Sequence, residues 1–307
     1  MKEIIIRAPA TIANFGPGFD IFALALKEPH DVLKLRLNNT NSINIRITGR
    51  PEPLPTEAEK NTAGLAAIHF FKKVRLAAGV DVEIRKKIIS GAGLGTSGAS
   101  AAACVYGLNK LLKSHLNPEE MIDIARKGEK VTGKAAHADN VAGCLLGGFV
   151  LIKNYSPLDV VKMKVPSIPI VVCAIKKSQQ TTRGLIPSRL SLAKTTEQMS
   201  YCSSLIHALL AGDLKSIGEA VNRDCISEPV RSSFISGYDD IKNKVLEAGA
   251  YGFNVSGGGS SLFAICEKNK TSRVAQLMKT FCNQRRIGSE IIITQSSNKG
   301  VAQINEL

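Results

Sequence analysis

Ten residues constrain this chain more than any other stretch: Gly91-Ala92-Gly93-Leu94-Gly95-Thr96-Ser97-Gly98-Ala99-Ser100. They follow an alternating run, VDVEIRKKII, that reads as a strand. They open an Ala-rich stretch that reads as a helix from Ser97 to Leu112. Glycines let successive backbone N–H groups close around phosphate oxygens without a Cβ in the way. The helix directs the positive end of its dipole at the same place. Thr96 and Ser97 read as caps of that helix that also offer a hydroxyl to Mg²⁺. No Gly-Lys-Ser/Thr follows at Walker spacing, and no later His-Arg-Asp or Asp-Phe-Gly exists. P-loop NTPases and protein kinases are therefore excluded. A helix start built only for close packing would use the same small residues, so the remaining sequence has to decide.

The chain has 307 residues, 44% of them hydrophobic, enough for one large or two medium domains. No apolar run approaches membrane-spanning length, and the start MKEIIIRAPA is too short in apolar residues for a signal peptide, so a cytoplasmic location with no membrane partner is expected. Seven scattered cysteines, with no Cys-x-x-Cys, argue against a disulfide scaffold or zinc ribbon. The net charge of +14 admits nucleic-acid binding, or a solvated basic surface that attracts small anions. The basic residues are dispersed, aromatics are 5% and Trp is absent, so the second reading is preferred and no nucleic-acid partner is expected.

Ile4–Ile6, VLKLRLNN and INIRITG alternate as half-buried strands. PEPLP at 51–55 reads as a loop before a helix that starts near Glu57 or Glu59. A second helix starts at Pro118, where proline's missing N–H is harmless, and runs to about Val131. GGFVLI reads as a buried strand. Strands over 158–165 and 169–175 and helices over 189–211, 213–221 and 238–248 follow. The end reads as strand GFNV, a glycine turn, strand SLFAI, a helix near 271–282 and a strand near 288–294. This order predicts an α+β sandwich, not a doubly wound parallel sheet. The two domains are placed at 1–155 and 156–307.

Four segments in order carry a family resemblance. Ala8-Pro9-Ala10-Thr11-Ile12-Ala13-Asn14-Phe15-Gly16-Pro17-Gly18-Phe19-Asp20 resembles the first motif of homoserine kinases. GLGTSGAS resembles the phosphate loop of the GHMP kinase superfamily. His137-Ala138-Asp139-Asn140-Val141, followed by LLGG, resembles the homoserine kinase His-x-Asp-Asn-Val segment. Val255-Ser256-Gly257-Gly258-Gly259-Ser260 is similar to the superfamily's third motif. The resemblance implies an N-terminal domain like ribosomal protein S5 domain 2, a ferredoxin-like C-terminal domain and an active site between them. It also implies ATP, Mg²⁺, a small-molecule alcohol substrate and a homodimer, within the threonine-biosynthetic step that phosphorylates homoserine.

Phosphoryl transfer asks a protein for positioning and charge neutralisation. Ser97 and Glu129 are the oxygen donors suited to Mg²⁺, and the resemblance puts the family's metal-binding Ser and Glu on them. A zwitterionic amino acid needs acids for its ammonium, here Asp20 and Asp139, and planar forks for its carboxylate, here Arg183 and Arg231. The family places a substrate arginine at both matching spots. Mevalonate, with no amine, would not need the two aspartates together. Asn14, His137 and Asn140 are the neutral groups expected near the reacting hydroxyl, and the resemblance, which puts the family's Asn on Asn140, implies transfer without a dedicated protein base. Asn61 matches a family position near the nucleotide, Lys87 could approach it from the end of its strand, and Gly257 begins a turn able to approach substrate closely.

Three departures stand out. Ile89 occupies the position of a usual proline before the loop, Thr96-Ser97-Gly98 replaces Ser-Ser-Ala, and Gln179 replaces a usual threonine, for which Thr181 or Thr182 could substitute. The rival readings are another GHMP kinase, acting on mevalonate or shikimate, and a basic nucleic-acid-binding protein.

Overall fold

In the computed structural model, residues 2–50, 53–132, 136–175 and 182–306 are described. Alternation builds the first sheet. In β1 (Glu3–Ala13) the burial alternates to Arg7, and every residue from Ala8 to Ala13 is buried, because there the strand runs beneath the cleft. It pairs antiparallel with the long β2 (Phe22–Asn38). β3 (Ile43–Thr48) runs parallel to β4 (Gly79–Arg85), and β4 is antiparallel to β2. β5 (Phe149–Tyr155) and β6 (Leu158–Met163) extend the sheet from β2. Helices α1 (Thr62–Val74), α2 (Thr96–Leu112), α3 (Pro118–Gly128) and α4 (Asp139–Leu146) pack with these strands.

The second sheet is a β-α-β-β-α-β unit. β7 (Pro169–Ile175) leads through α5 (Leu192–Ala211), α6 (Leu214–Val221), α7 (Glu228–Ser232) and α8 (Tyr238–Glu247) to β8 (Ala250–Val255). β9 (Leu262–Cys266), α9 (Thr271–Gln284) and β10 (Ser289–Gln295) follow. The spatial order β10-β7-β9-β8 is the ferredoxin-like arrangement.

β11 (Ala302–Ile304) returns to pair with β1, so the chain starts and finishes in the same sheet. The segments that leave and re-enter it run side by side. Asn298 is bonded to both the N–H and the carbonyl of Val165, and Ser296 to Pro166 and Ile168. The expected boundary at 155/156 therefore falls inside the β5–β6 hairpin, and a terminal strand joins the N-terminal layer. The cores also merge. Phe15 stacks on Phe263 of the second sheet at 5.6 Å and meets Phe149 of the first edge-on at 6.1 Å. Each such buried ring stabilises the joined core by roughly 1.5–3 kcal/mol.

Local starts differ in detail from expectation. Residues 58–60 form one turn of 3-10 helix, and α1 begins at Thr62, because Asn61 accepts from the N–H groups of Ala63 and Gly64. α3 opens on a reciprocal Asn117–Glu120 capping box and gives way to a 3-10 turn at Glu129.

Candidate active site

The phosphate loop is built by glycine geometry. Gly93 and Gly95 have φ of 76° and 68°, where a side chain is strained. A Cβ on Gly93 would lie 2.5 Å from the Ser256 carbonyl oxygen, and one on Gly95 only 2.0 Å from Thr11 Oγ1. The loop thus packs directly on the third motif. Ser256 Oγ donates to the Gly93 carbonyl at 2.8 Å, and the Gly257 N–H donates to Ala13 at 3.1 Å.

Gly95 is the cap residue of α2, and no side chain caps it. The expectation that Thr96 and Ser97 do so fails because both hydroxyls are engaged elsewhere. Thr96 Oγ1 takes a 2.6 Å hydrogen bond from Lys86 Nζ, and Ser97 Oγ donates to Glu129 Oε2 at 3.1 Å. Ala92, Leu94, Gly98 and Ala99 are buried and support the loop from the core side, while Gly91 stands exposed at its rim.

Lys87 is exposed and outside the cleft lining; its carbonyl receives Arg50. The alternation that buries Val80, Val82 and Ile84 continues past β4 to bury Lys86 instead. Lys86 Nζ contacts Asp31 Oδ2 at 2.6 Å, the Thr96 carbonyl at 3.1 Å and Ser100 Oγ at 2.9 Å. Asp31, fully buried, also accepts from the N–H groups of Lys87 and Ile88. This fully bonded ion pair braces the loop.

One cleft of about 450 Å³ takes in the rest. Asn61, Ile47, Leu54 and Pro55 line one end, the loop with Ser97 and Glu129 the middle, and both motif aspartates and both arginines the other. Asn61 is spent on its helix cap and on donating to the Pro55 carbonyl, so it shapes this wall. Gln179 and Thr181 lie outside the described residues; Thr182 is buried and donates to the Gly258 carbonyl.

At the far end, Asn14, Phe15 and Asp20 take left-handed backbone conformations, with φ of 67°, 45° and 63°. The turn they make projects Asp20 into the cleft, and Asn14 Oδ1 accepts from the Asp20 N–H at 3.2 Å. Tyr155 ties this turn to the 136–140 segment by donating to the Asp20 carbonyl at 2.7 Å and accepting from the Ala138 N–H. His137 Nδ1 sits 3.7 Å from Asp20 Oδ1. Asp139 is only 3% exposed, and burial raises its pKa to about 7. Thr11 Oγ1 donates to Asn140 Oδ1 at 2.7 Å, which leaves the amide nitrogen of Asn140 as its donor.

The arginines behave differently from each other. Arg183 pairs with Asp20 through two 2.6 Å contacts, which raise its pKa further. Arg231 is 5% exposed, and its Nε and Nη1 have no hydrogen-bond partner among the described residues. Burial lowers its pKa, and it faces Asp224, Asp20 and Asp139. Sequence reading assigned nothing to Thr11, Phe19, Asp31, Lys86 or Tyr155; strand phase alone could have selected Lys86.

A glycine-built anion loop at a helix start, set between two α+β layers, defines a small-molecule kinase of the GHMP type. The models for the GHMP kinases N terminal domain and GHMP kinases C terminal match residues 61–148 and 205–284. The chain is 35% identical to the homoserine kinase of Methanococcus vannielii, covering 92% of this chain and 94% of that one. It is 38% identical to that of Pyrococcus horikoshii, covering 87% and 89%. The crystal structure of homoserine kinase from Cytophaga hutchinsonii superposes with a TM-score of 0.91 at 36% identity, covering 99% of this chain and 98% of that one. The chain belongs to the homoserine kinase family of GHMP kinases. Among the described residues, no helix is long and apolar enough to cross a membrane.

Proposed function

We propose that this chain transfers the γ-phosphate of ATP to the side-chain hydroxyl of L-homoserine, giving O-phospho-L-homoserine for threonine biosynthesis. The observation that carries the substrate assignment is Arg231: a buried guanidinium whose Nε and Nη1 lack partners among the described residues, facing the carboxylates of Asp224, Asp20 and Asp139. Leaving such a cation unsatisfied is costly, and an α-carboxylate supplies a missing acceptor. The ammonium is taken by Asp139 and Asp20, with Arg183 covering Asp20 until substrate arrives. Asn14 and His137 line the space for the substrate's alcohol, and the Gly257 turn closes that space from the second domain.

The glycine loop and the start of α2 receive the phosphates, and the wall around Asn61 receives the nucleoside. Ser97 and Glu129 present two hard oxygen groups 3.1 Å apart in the cleft, a donor set that fits Mg²⁺ completed by phosphate oxygens. When bound there, Mg²⁺ neutralises charge on the transferring phosphate. Asn140, held by Thr11, donates from its amide and cannot act as a base. As the alcohol oxygen bonds to the γ-phosphorus, the bond to the β–γ bridging oxygen breaks and ADP leaves; the alcohol proton passes to the transferred phosphate, which a loose transition state allows.

A homodimer is supported by Leu192, Met199 and Leu210, which are 83%, 64% and 74% exposed on one face of α5. Sedimentation of the full chain tests it. Function is tested by ATP turnover with homoserine, mevalonate or shikimate. Homoserine-dependent turnover is expected, and phosphorylation of mevalonate but not homoserine would overturn the assignment.

A further inference from the structure

Phe19 stands where the two arginines converge. The Arg183 guanidinium carbon lies 4.8 Å from the centre of its ring, and that of Arg231 lies 5.4 Å from it. The two like charges repel, and the presence of Arg183 helps to lower the pKa of Arg231. An aromatic face attracts both cations without neutralising either. Other residues hold its loop in place. The Phe19 N–H donates to the Pro17 carbonyl, which also receives the side chain of Gln198, itself only 6% exposed. Gln198 reaches on to Asp224 at 3.2 Å and accepts from the Cys225 N–H at 2.9 Å. Asp224 in turn accepts from the N–H groups of Ser227 and Glu228, at the start of the helix that carries Arg231. The ring and the buried arginine are thus fixed to one frame.

We infer that Phe19 is a positioning residue for the amino-acid end of the substrate, holding Arg183 and Arg231 together so that they present a doubly cationic seat for one carboxylate. The inference rests on the reading that these arginines take the carboxylate of homoserine. A saturated side chain of similar size fills the space but offers the cations no π face. Selectivity then follows: the seat favours substrates with an α-carboxylate over otherwise similar amino alcohols.

The test compares Phe19→Leu, Phe19→Met and Phe19→Tyr with Arg231→Ala, measuring KM for homoserine, KM for ATP, kcat and the melting temperature. Loss of the ring is expected to raise the homoserine KM about tenfold with the ATP KM within about twofold, and Tyr to recover most of the loss. Met is the second ringless variant should Leu fail to fold. If a folded ringless variant keeps the wild-type homoserine KM while Arg231→Ala raises it, Phe19 has no such role and the arginine reading survives. If Arg231→Ala also leaves the homoserine KM unchanged, the arginine reading itself is wrong. Equal rises in both KM values for Leu and Met would show a general structural role and also overturn the inference.

Discussion

Arg183 grips Asp20 through its two terminal guanidinium nitrogens, each 2.6 Å from its own carboxylate oxygen, across 163 residues of sequence. Both partners were expected to face substrate, and the structure gives them to each other. Both residues line the cleft, and on the reading proposed above, binding homoserine exchanges their partners instead of simply filling a space.

Arg231→Ala is expected to raise the homoserine KM by about 30- to 150-fold, the equivalent of roughly 2–3 kcal/mol for charge-assisted bonds to a buried cation. Arg183→Ala is expected to cost less, because its side chain is 44% exposed and solvent screens it. Neither change should move the ATP KM by more than about twofold. Steady-state kinetics with each substrate varied in turn decides this.

Asp139 gives a pH signature. Burial holds its carboxyl protonated up to about pH 7, against 3.8 for the ordinary group. Between those values the folded chain keeps a proton that the unfolded chain has lost, so stability falls as pH rises toward 7 and levels off above it. Asp139→Asn removes that loss and is expected to be about 2–4 kcal/mol more stable than wild type at pH 8 by urea unfolding. The same variant should bind homoserine at least about tenfold more weakly. For the wild type, the homoserine KM should drop as pH rises through 7, as the carboxylate that pairs with the ammonium ionises.

Ser97→Ala and Glu129→Gln should each lower kcat by about 10²-fold or more and raise the Mg²⁺ concentration giving half-maximal rate. Binding of a fluorescent nucleotide in EDTA should change little. If the magnesium dependence stays at wild type, these two oxygens do not hold the ion.

The Asp31–Lys86 pair yields a stability prediction. Lys86→Met strands a fully buried carboxylate and is expected to cost about 3–5 kcal/mol, a fall of roughly ten degrees in Tm. The double variant Asp31→Asn/Lys86→Met should recover much of that loss. Differential scanning calorimetry of the three variants is the measurement.

Sequence carried the architecture where periodicity was strong. Strands at Gly79–Arg85 and Pro169–Ile175, the helix over Thr96–Leu112 and the final strand–helix–strand run stood within a few residues of expectation. It failed where tertiary pairing decides. The three-residue strand Ala302–Ile304 has no pattern of its own and exists because β1 offers an edge. The helix Asp139–Leu146 lay hidden under its motif. In the site, residue types sufficed to gather the aspartates, arginines and loop glycines into one cleft. They could not reveal which charges pair with each other, such as Arg183 with Asp20 and Lys86 with Asp31, although strand phase does turn Lys86 inward and Lys87 out. Those pairings depend on contacts between segments far apart in the chain.

The return of the chain to its first sheet has a mechanical consequence. The second domain is attached by two adjacent segments, 164–168 and 296–301, hydrogen-bonded to each other through Ser296 and Asn298. A body suspended from a single cord can spin; one hung from two joined cords cannot, and the shared Phe15–Phe263 core restrains it further. Arg231 is thereby held in one orientation toward Asp20 and Asp139.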